Sequence, residues 1–360
     1  MTWAKRLVLG VALLGSAGVG CKDDKDDLVG PGQAMTVYTR NLYLGSEITP
    51  LAAIPSPEAI PGVAATLWAN IQNSEFPERA KVLADEIVAL APDLVALQEV
   101  TLYRRQLPGD FQIGDDVPNA TEVVLDFLAI LMAEIDARGG GYRVVGEALN
   151  VDAEVPVDGG DAGPFDLRLT DRDVILARDT VQTSNFIALP FAAKFEFVAG
   201  GSGGIPIALT RSTSRVDAVL GDAHFTFGNA HLEIQSLQLF QTAQATELLS
   251  GIASVPDPVL LLGDFNSAPA MNSYPLLTAQ FYDAWDDAGG GAPGFTCCQA
   301  GDLRNPESTA GGRIDLVLYR GRFRVNDMTV TGTDPATGRT PGGLWASDHF
   351  GVLAHVELVP

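Results

Sequence analysis

The stretch VLLLGDFNSAP, from Val259 to Pro269, decides how the rest of the chain is interpreted. Its four consecutive aliphatic residues are typical of a strand that is buried on both faces. Asp264 and Asn266, a carboxylate and an amide two positions apart, stand where this apolar run ends. A buried strand with such an ending predicts that the edge of a sheet carries polar chemistry.

Several other short aliphatic runs end in the same way. The polar residues at or near their ends are Asn41, Gln98, Glu99, Asn229, His231, Asp315, Ser347, Asp348 and His349. If these runs are strands whose ends lie at the same edge of the fold, those ends form an acidic cleft that also holds amides and imidazoles. Burying so many carboxylates without a cation is costly, so the pattern predicts a bound metal.

A hard divalent cation suits this set of side chains, because Mg²⁺ prefers one or two carboxylates together with waters and phosphate oxygens. Asp315 would orient and charge the imidazole of His349, which would then face a phosphate oxygen. Asp264 would polarise a water for in-line attack, and Asn266 would hold that water. The residue types therefore favour metal-assisted attack on phosphorus.

Six short motifs in chain order resemble those of the endonuclease/exonuclease/phosphatase superfamily, which includes deoxyribonuclease I-like nucleases, abasic-site endonucleases, neutral sphingomyelinases and inositol-polyphosphate 5-phosphatases. The motifs are Asn41 after the first strand, QE at 98–99, the HL that begins at His231, GDFN at 263–266, RID at 313–315 and SDH at 347–349. They extend over nearly the whole chain that follows the N-terminal segment. The segment GFTCCQAGDLRNPESTAGGRIDLVLY also resembles a subgroup of bacterial and plant hydrolases of this superfamily.

The resemblance implies an α+β fold, a four-layer α/β/β/α sandwich in which two packed, mostly antiparallel sheets are flanked by helices. It also implies a cleft that cleaves phosphoester bonds with Mg²⁺ or Mn²⁺. By the same resemblance, Glu99 binds the metal, and Asn41 and Asp348 support the metal or its phosphate ligand.

The resemblance also implies the catalytic roles. Asp264 is the base toward water and Asn266 assists it, while Asp315 and His349 form a phosphate-facing pair. His231 stabilises the transition state or protonates the leaving oxygen.

Two further residues are weaker candidates for contact with the substrate phosphate. Arg104 follows Glu99 by five positions, and either contacts a phosphate or is a solvated surface arginine. Asp173 precedes a strand at a place where similar nucleases and lipases carry an Asn or Gly near the substrate. His224 and His355 fall outside every motif and are interpreted as structural residues.

Composition limits the substrate and the architecture. The net charge of -22, from 23 Lys+Arg against 45 Asp+Glu, repels polyanions, so nucleic acid is possible as a substrate but not favoured. Phospholipid headgroups and soluble phosphate esters are the alternatives. The length alone would suggest about two domains, but no repeat or internal linker divides the sequence, which favours a single catalytic domain at 34–360. The protein is expected to be a monomer.

The N-terminus has the features of a targeting segment. Residues 1–21 are interpreted as an export signal, in which Lys5 and Arg6 precede an apolar run that is shorter than the roughly 20 residues needed to span a bilayer. Residues 22–33 form an acidic linker. Lipidation of Cys21 would make the protein a cell-envelope lipoprotein held at a membrane. Cleavage without lipidation, and hence secretion, stays open because Gly18 stands where a Leu is usual in such signals.

Cys297 and Cys298 are adjacent, and two interpretations of them stay open. Neighbouring Cα atoms lie about 3.8 Å apart, below the span of about 4.4 to 6.8 Å that a disulfide usually bridges. The pair is therefore either a strained disulfide or two reduced thiols.

The periodicity predicts helices from Glu75 to Leu90, over 121–141, and around Ile234 to Ile252, with short strands between and after them. Residues 150–170 are rich in Asp, Gly and Pro and are predicted to form a loop. Substrate specificity is expected in the loops 45–75, 102–120 and 150–170.

Two other classes of protein were weighed. A catalytically silent binding module on the same fold would have lost a ligand or the His-Asp pair, and none is missing here. A zinc hydrolase of unrelated chemistry would show an HExxH motif or a Cys-His cluster, which the sequence lacks.

Overall fold

The computed structural model describes residues 32–111 and 117–360. The predicted export signal at 1–21, the lipidation of Cys21 and nearly all of the predicted linker at 22–33 lie outside the described residues. Within the described ranges, no helix has both the length and the apolar character to cross a membrane.

Two mixed β-sheets form the centre of the protein. The strands of the described residues are β1 (Gln33–Asn41), β2 (Leu94–Gln98), β3 (Leu102–Gln106), β4 (Glu122–Asp126), β5 (Tyr142–Val157), β6 (Phe165–Arg178), β7 (Gln182–Pro190), β8 (Phe195–Ala199), β9 (Ile205–Leu209), β10 (Ser212–Leu220), β11 (Ala223–His231), β12 (Val259–Asp264), β13 (Tyr282–Asp283), β14 (Asp315–Arg320), β15 (Phe323–Thr331) and β16 (Gly351–Leu358). The first sheet has the order β15-β16-β1-β2-β6-β3-β4, with β5 also paired to β6, and the second has the order β13-β14-β12-β11-β10-β7. Strands β8 and β9 form a separate hairpin. The pairs β1/β2 and β11/β12 are parallel, and the other pairs within the sheets are antiparallel.

Helices cover the outer faces of both sheets. They are α1 (Ile60–Asn73), α2 (Phe76–Leu90), α3 (Phe127–Ala137), α4 (Gln238–Ile252), α5 (Ser273–Thr278) and α6 (Ala284–Ala288), with short 3-10 helices at Thr49–Ala53, Pro57–Ala59, Gly160–Ala162 and Gln235–Leu237. Helices α1 to α3 share a buried apolar cluster with the first sheet. Helices α4 and α5 share another with the second sheet.

The continuous aliphatic runs of the sequence follow from this layering. In β12, Leu260 and Leu262 belong to the apolar cluster between the two sheets. Val259 and Leu261, on the other face of the same strand, pack with the helices outside the second sheet. Because both faces of such a strand are buried, the alternation of apolar and polar residues disappears. The predicted α+β sandwich of two packed sheets flanked by helices is therefore confirmed.

A polar bridge joins the two sheets close to the strand ends. Gln98 Nε2 of β2 donates to Asn229 Oδ1 of β11 at 2.7 Å, and Asn229 Nδ2 donates to the carbonyl oxygen of Leu97 at 2.9 Å. Both side chains are fully buried. Because a buried amide is costly when it has no partner, this bridge fixes the relative position of the two sheets at the edge where their polar residues gather.

Two predictions of secondary structure are wrong in part. The stretch 121–141 begins as strand β4 and becomes helical only at Phe127. Asp126 marks the switch, because its side chain accepts from the backbone N–H groups of Leu128 and Ala129 and so caps α3. The β-branched residues Val123 and Val124 precede the cap and favour the extended form.

The predicted loop at 150–170 is also wrong. Strands β5 and β6 form a long antiparallel hairpin, with pairing that extends to Val157 and Phe165. The Asp, Gly and Pro residues that suggested a loop are concentrated in the turn at 158–164. Likewise 45–75 contains helix α1, and 102–106 is strand β3, so these regions are more ordered than the sequence indicated.

Candidate active site

The strand pairing brings the predicted polar residues to one edge. Asp264, the last residue of β12, lies beside His231 at the end of the parallel strand β11. Across the other edge of β12, Asp264 pairs with Asp315, the first residue of β14. In the first sheet, Asn41 at the end of β1 pairs with Gln98 at the end of β2. Positions far apart in sequence therefore meet because their strands end at the same level.

A cleft of about 130 Å³ opens at this edge. The predicted site residues among those that line it are Glu99, Asp264, Asn266, Asp348 and His349. Other residues that line it include Tyr43, Glu47, Asp171, Arg211, Glu233, Cys297 and Cys298. The cleft is acidic, as the sequence predicted.

Asp264 is held on both carboxylate oxygens. Asn41 Nδ2 donates to Asp264 Oδ2 at 3.1 Å, and the backbone N–H of Asn266 donates to Asp264 Oδ1 at 2.8 Å. The Asn41 side-chain oxygen accepts from the Tyr43 N–H at 2.8 Å. Asn41 is fully buried and supports Asp264, so its amide is already used within the protein. Asn266 has a φ of 49°, a left-handed conformation that asparagine adopts more readily than most residues.

His349 lies between two carboxylates. Its Nδ1 is 2.9 Å from Asp315 Oδ2, and its Nε2 is 3.8 Å from Asp264 Oδ2. Burial alone would lower the pKa of His349, but Asp315, Asp264 and Asp348 together raise it well above the ordinary value. This direction favours the protonated, positively charged imidazole, as the predicted pairing with Asp315 requires. The Ser347 hydroxyl accepts from the His349 N–H at 3.2 Å and donates to the Asn41 carbonyl at 2.7 Å, which fixes this segment against β1.

His231 is a second imidazole at the same edge. Its Nδ1 is 3.3 Å from Asp173 Oδ1, and its Nε2 is 3.7 Å from Asp264 Oδ2. Burial and Arg211 lower the pKa of His231, while the Asp173 and Asp264 carboxylates raise it, and the net change is a rise. The structure thus brings Asp173, a weak candidate from the sequence, into contact with His231.

Glu99 and Asp348 face the cleft from the first sheet and its neighbouring loop. Glu99 Oε2 accepts from the Leu44 N–H at 2.8 Å. Burial raises the pKa of Asp348 to about 7, with His349 opposing and the Glu99 carboxylate adding to the rise. The Glu99 carboxylate therefore disfavours the charged form of Asp348, and a divalent cation between them would relieve that cost.

Arg211 is a cleft residue that the sequence analysis missed. Its Nη1 is 3.7 Å from Asp171 Oδ2, and its Nη2 is 3.7 Å from Glu233 Oε1. Among the described residues that line the cleft, Arg211 alone is a lysine or arginine. Arg104, the predicted phosphate contact, does not line the cleft, and its Nη2 lies 3.7 Å from Asp152 Oδ1.

Arg79 also escaped the sequence analysis. It is fully buried on α2, where its guanidinium donates to the carbonyl oxygens of Leu42 at 2.6 Å, Tyr43 at 3.0 Å and Ala346 at 2.9 Å. These carbonyls belong to the two segments that carry Asn41 and Asp348. The only signal was its position on the buried face of the helix, three residues before Val82.

The carboxylate oxygens at this edge fit a hard divalent cation. One ligand atom from each of Asp264, Asp315 and His349 lies within 4.8 Å of the others, and all three residues are buried. Asp315 Oδ1 is buried without a hydrogen-bond partner. Buried carboxylate oxygens that lack a donor are expected to coordinate a metal or an ordered water.

Cys297 and Cys298 form a disulfide in the structure, so the bonded interpretation applies there. Cys297 is buried and Cys298 is exposed at the cleft.

A cavity larger than the acidic cleft lies elsewhere. It measures about 880 Å³, is lined by Gln33, His224 and Arg322 among others, and shares no residue with the acidic cleft. Its lining offers no comparable group of carboxylates and imidazoles, so chemistry rather than size identifies the candidate site. His355 is exposed, with Nδ1 3.0 Å from Thr36 Oγ1, and also lies outside the cleft.

Comparison with known proteins gives a consistent picture. The model of the endonuclease/exonuclease/phosphatase family matches residues 67–349. An endonuclease/exonuclease/phosphatase from Beutenbergia cavernae is similar in structure, with a TM-score of 0.54 and 21% identity over 91% of this chain and 72% of that one. A mannosyl-6-phosphatase from Bacteroides thetaiotaomicron gives a TM-score of 0.52 and 18% identity over 89% of this chain and 99% of that one. TDP2 from D. rerio, in complex with a single-strand DNA product, gives a TM-score of 0.52 and 14% identity over 90% and 99% of the two chains. At these identities the structural likeness establishes the fold alone. The comparison with curated proteins found no match to the sequence.

Proposed function

The chain belongs to the endonuclease/exonuclease/phosphatase family, and we propose that it is a Mg²⁺- or Mn²⁺-dependent hydrolase of phosphoester bonds, which acts by in-line attack of a water. One observation carries the proposal. Asp264, Asp315 and His349, which come from different parts of the chain, meet in one buried group at an acidic cleft. A carboxylate that can accept a proton, beside two imidazoles whose pKa values are raised, supports hydrolysis rather than simple binding.

Asp264 is the proposed base. Its two oxygens are held by Asn41 and by the Asn266 N–H, so the carboxylate has a fixed orientation toward the cleft. It accepts a proton from the attacking water, and Asn266 helps to orient that water. Fixing the base in advance lowers the barrier, because no rearrangement is needed during the reaction.

The two imidazoles carry the proposed acid and electrostatic roles. His349, kept protonated beside Asp315, donates a hydrogen bond to a non-bridging phosphate oxygen, where negative charge grows during attack. His231, whose pKa is raised by the Asp173 and Asp264 carboxylates against the opposing effect of Arg211, donates a proton to the leaving oxygen. Arg211 adds a fixed positive charge next to the substrate phosphate.

Glu99 and Asp348 are the proposed holders of the metal. When bound, Mg²⁺ or Mn²⁺ supplies positive charge at the phosphate oxygens and orients the phosphoryl group. Asn41 contributes indirectly in this proposal, because it positions Asp264.

Three substrate classes fit a phosphoesterase of this kind. They are nucleic acid, phospholipid headgroups and soluble phosphate esters. The strong negative charge of the chain favours the last two over tight binding of a duplex.

An activity screen tests the proposal. The chain from residue 34 is assayed with Mg²⁺ or Mn²⁺ on bis-p-nitrophenyl phosphate, DNA, RNA, sphingomyelin and inositol phosphates, beside the variant Asp264→Asn. Asp217→Asn is the matched control, because Asp217 is exposed on β10 and pairs with Asn185. We expect at least one substrate to be cleaved by the wild type and the control and not by Asp264→Asn. Equal background rates for all three proteins on every substrate would favour a silent binding module.

We also propose export through residues 1–21 and lipidation at Cys21. Metabolic labelling of the full chain with a radioactive fatty acid tests this, with Cys21→Ser as the control. Label in the wild type alone is the expected result, whereas an unlabelled but truncated wild type indicates cleavage without lipid.

A further inference from the structure

The disulfide of Cys297 and Cys298 forms part of the cleft wall next to His349. All three residues line the cleft, and one ligand atom from each lies within 4.8 Å of the others. Cys298 is exposed, so solvent and small reagents reach it. The proposed hydrolysis assigns no role to either cysteine.

Backbone hydrogen bonds fix the cysteine segment against the segment of His349. The Phe350 N–H donates to the Thr296 carbonyl oxygen at 2.7 Å, and the Gln299 N–H donates to the Asp348 carbonyl oxygen at 2.8 Å. Thr296 and Gln299 flank the two cysteines on one segment. Asp348 and Phe350 flank His349 on the other. The backbone therefore holds the cysteine segment beside the segment of His349.

The three side chains form a soft donor set. Two sulfurs and one imidazole nitrogen suit Zn²⁺ and Cd²⁺, whereas Mg²⁺ prefers oxygen ligands. The oxygen-rich group of Asp264 and Asp315 lies directly beside this set, with His349 common to both. His349 is therefore shared by a group of hard ligands and a group of soft ligands.

His349 already has the surroundings of a metal-binding histidine. Its Nδ1 is paired with Asp315, which leaves Nε2, 3.8 Å from Asp264 Oδ2, as the ring nitrogen that can bind a cation. Metal-ligating histidines generally donate their other N–H to a carboxylate, which fixes the ring and increases its basicity.

We propose that reduction of the Cys297–Cys298 disulfide creates a binding site for a thiophilic divalent cation, Zn²⁺ or Cd²⁺, formed by the two thiolates and His349 Nε2. A dithiol reductant supplies two electrons and two protons, the S–S bond breaks to give two thiols, and the reductant leaves as its cyclic disulfide. Binding of the cation then releases the two thiol protons and the proton on His349 Nε2. If the proposed function is correct, the occupied site withdraws His349 from the phosphate and stops hydrolysis.

A binding measurement tests the site without any substrate. The chain from residue 34 contains no other cysteine, so every thiol signal comes from this pair. The protein is prepared oxidised, and also reduced with dithiothreitol that is removed anaerobically, and each form is titrated with Cd²⁺. The readout is the ultraviolet charge-transfer absorption of cadmium thiolates.

We expect one equivalent of Cd²⁺ to bind the reduced protein, and no such absorption from the oxidised protein or from the double variant Cys297→Ser/Cys298→Ser. His349→Ala should weaken Cd²⁺ binding by at least about tenfold, because it removes one ligand. His224→Ala, which removes an exposed histidine outside the cleft, should bind like the wild type. A reduced wild type without stoichiometric absorption, or a His349→Ala variant of unchanged affinity, would overturn the proposal.

An activity measurement tests the consequence for hydrolysis. With Mg²⁺ saturating, reduction should lower the Zn²⁺ concentration for half-inhibition of the wild type by at least about tenfold, and should leave that of the double serine variant unchanged. The zinc-free rate of each protein serves as its own reference. A protein that binds Cd²⁺ as expected but hydrolyses nothing would refute the proposed function and keep the site. A protein that hydrolyses with Mg²⁺ but shows no cadmium absorption would refute the site and keep the function.

Discussion

The imidazole of His349 and the carboxylate of Asp315 meet at 2.9 Å across 34 positions of sequence. Asp315 begins β14 of the second sheet, and His349 stands just before β16 of the first. Their contact therefore joins the two sheets beside the cleft that His349 lines. The carboxylate both orients the ring and favours its charged form, which is the property that a phosphate-facing group needs.

Replacement of Asp315 by Asn should lower kcat by about 100-fold or more, because the ring of His349 loses the partner that orients and charges it. The substitution is nearly isosteric, so the fold should persist by circular dichroism. The rate is measured on the best substrate of the screen, with Asp217→Asn as the matched control. A rate for Asp315→Asn within about threefold of the control would contradict the assigned role.

The two interpretations of Asn41 can be separated by metal titration. As a support for Asp264, Asn41→Ala should lower kcat by about tenfold or more and leave the Mg²⁺ concentration for half-maximal activity unchanged. Glu99→Gln, which removes a proposed ligand, should raise that concentration by about tenfold or more. A large shift in Asn41→Ala would restore the interpretation of Asn41 as a direct metal ligand.

Arg211→Gln should raise KM for a phosphoester by about tenfold or more, because the cleft loses a charged hydrogen-bond donor near the phosphate. Arg104→Gln is the matched control, since its side chain faces Asp152 and not the cleft. Steady-state kinetics of the two variants show which arginine contributes to the KM for the phosphoester. A larger effect from Arg104→Gln would favour the contact that the sequence suggested.

Arg79→Lys should reduce the free energy of unfolding by about 1–3 kcal/mol, because an ammonium group cannot reach all the carbonyls that the guanidinium serves and leaves a buried acceptor unpaired. Arg105→Lys is the control, since Arg105 pairs with Glu122 at the surface and should change stability by less than about 1 kcal/mol. Urea denaturation provides both values. Equal stability of the two variants would show that the carbonyl contacts of Arg79 do not matter.

The sequence revealed the fold and most of the candidate site because their signals are local. A continuous aliphatic run such as the one before Asp264 is typical of a strand between two covered faces, and the polar residue at its end follows directly. The resemblance of the six motifs, in their order, to those of the superfamily then implies the sandwich. The metal-binding and catalytic roles of the individual residues stay predictions that the experiments above address.

The parts that could not be predicted depend on contacts between distant positions. Arg79 looked like an ordinary helix residue, yet it binds the carbonyl oxygen of Ala346, 267 positions away. Arg211 is significant only because Asp171 and Glu233 meet it in the cleft. The hairpin of β5 and β6 was not predicted, because the Asp, Gly and Pro residues of its turn made the whole stretch 150–170 resemble a loop.

The central claim is that these residues hold a divalent cation and use it to hydrolyse a phosphoester. The most direct measurement is the rate of bis-p-nitrophenyl phosphate hydrolysis against Mg²⁺ or Mn²⁺ concentration, from full chelation to saturation, for the wild type and Asp264→Asn. We predict that the wild type is inactive when chelated and gains activity as the metal is added, while Asp264→Asn stays at least about 100-fold slower at saturation. A wild-type rate that is the same with chelator as with metal, or a variant as fast as the wild type, would contradict the account.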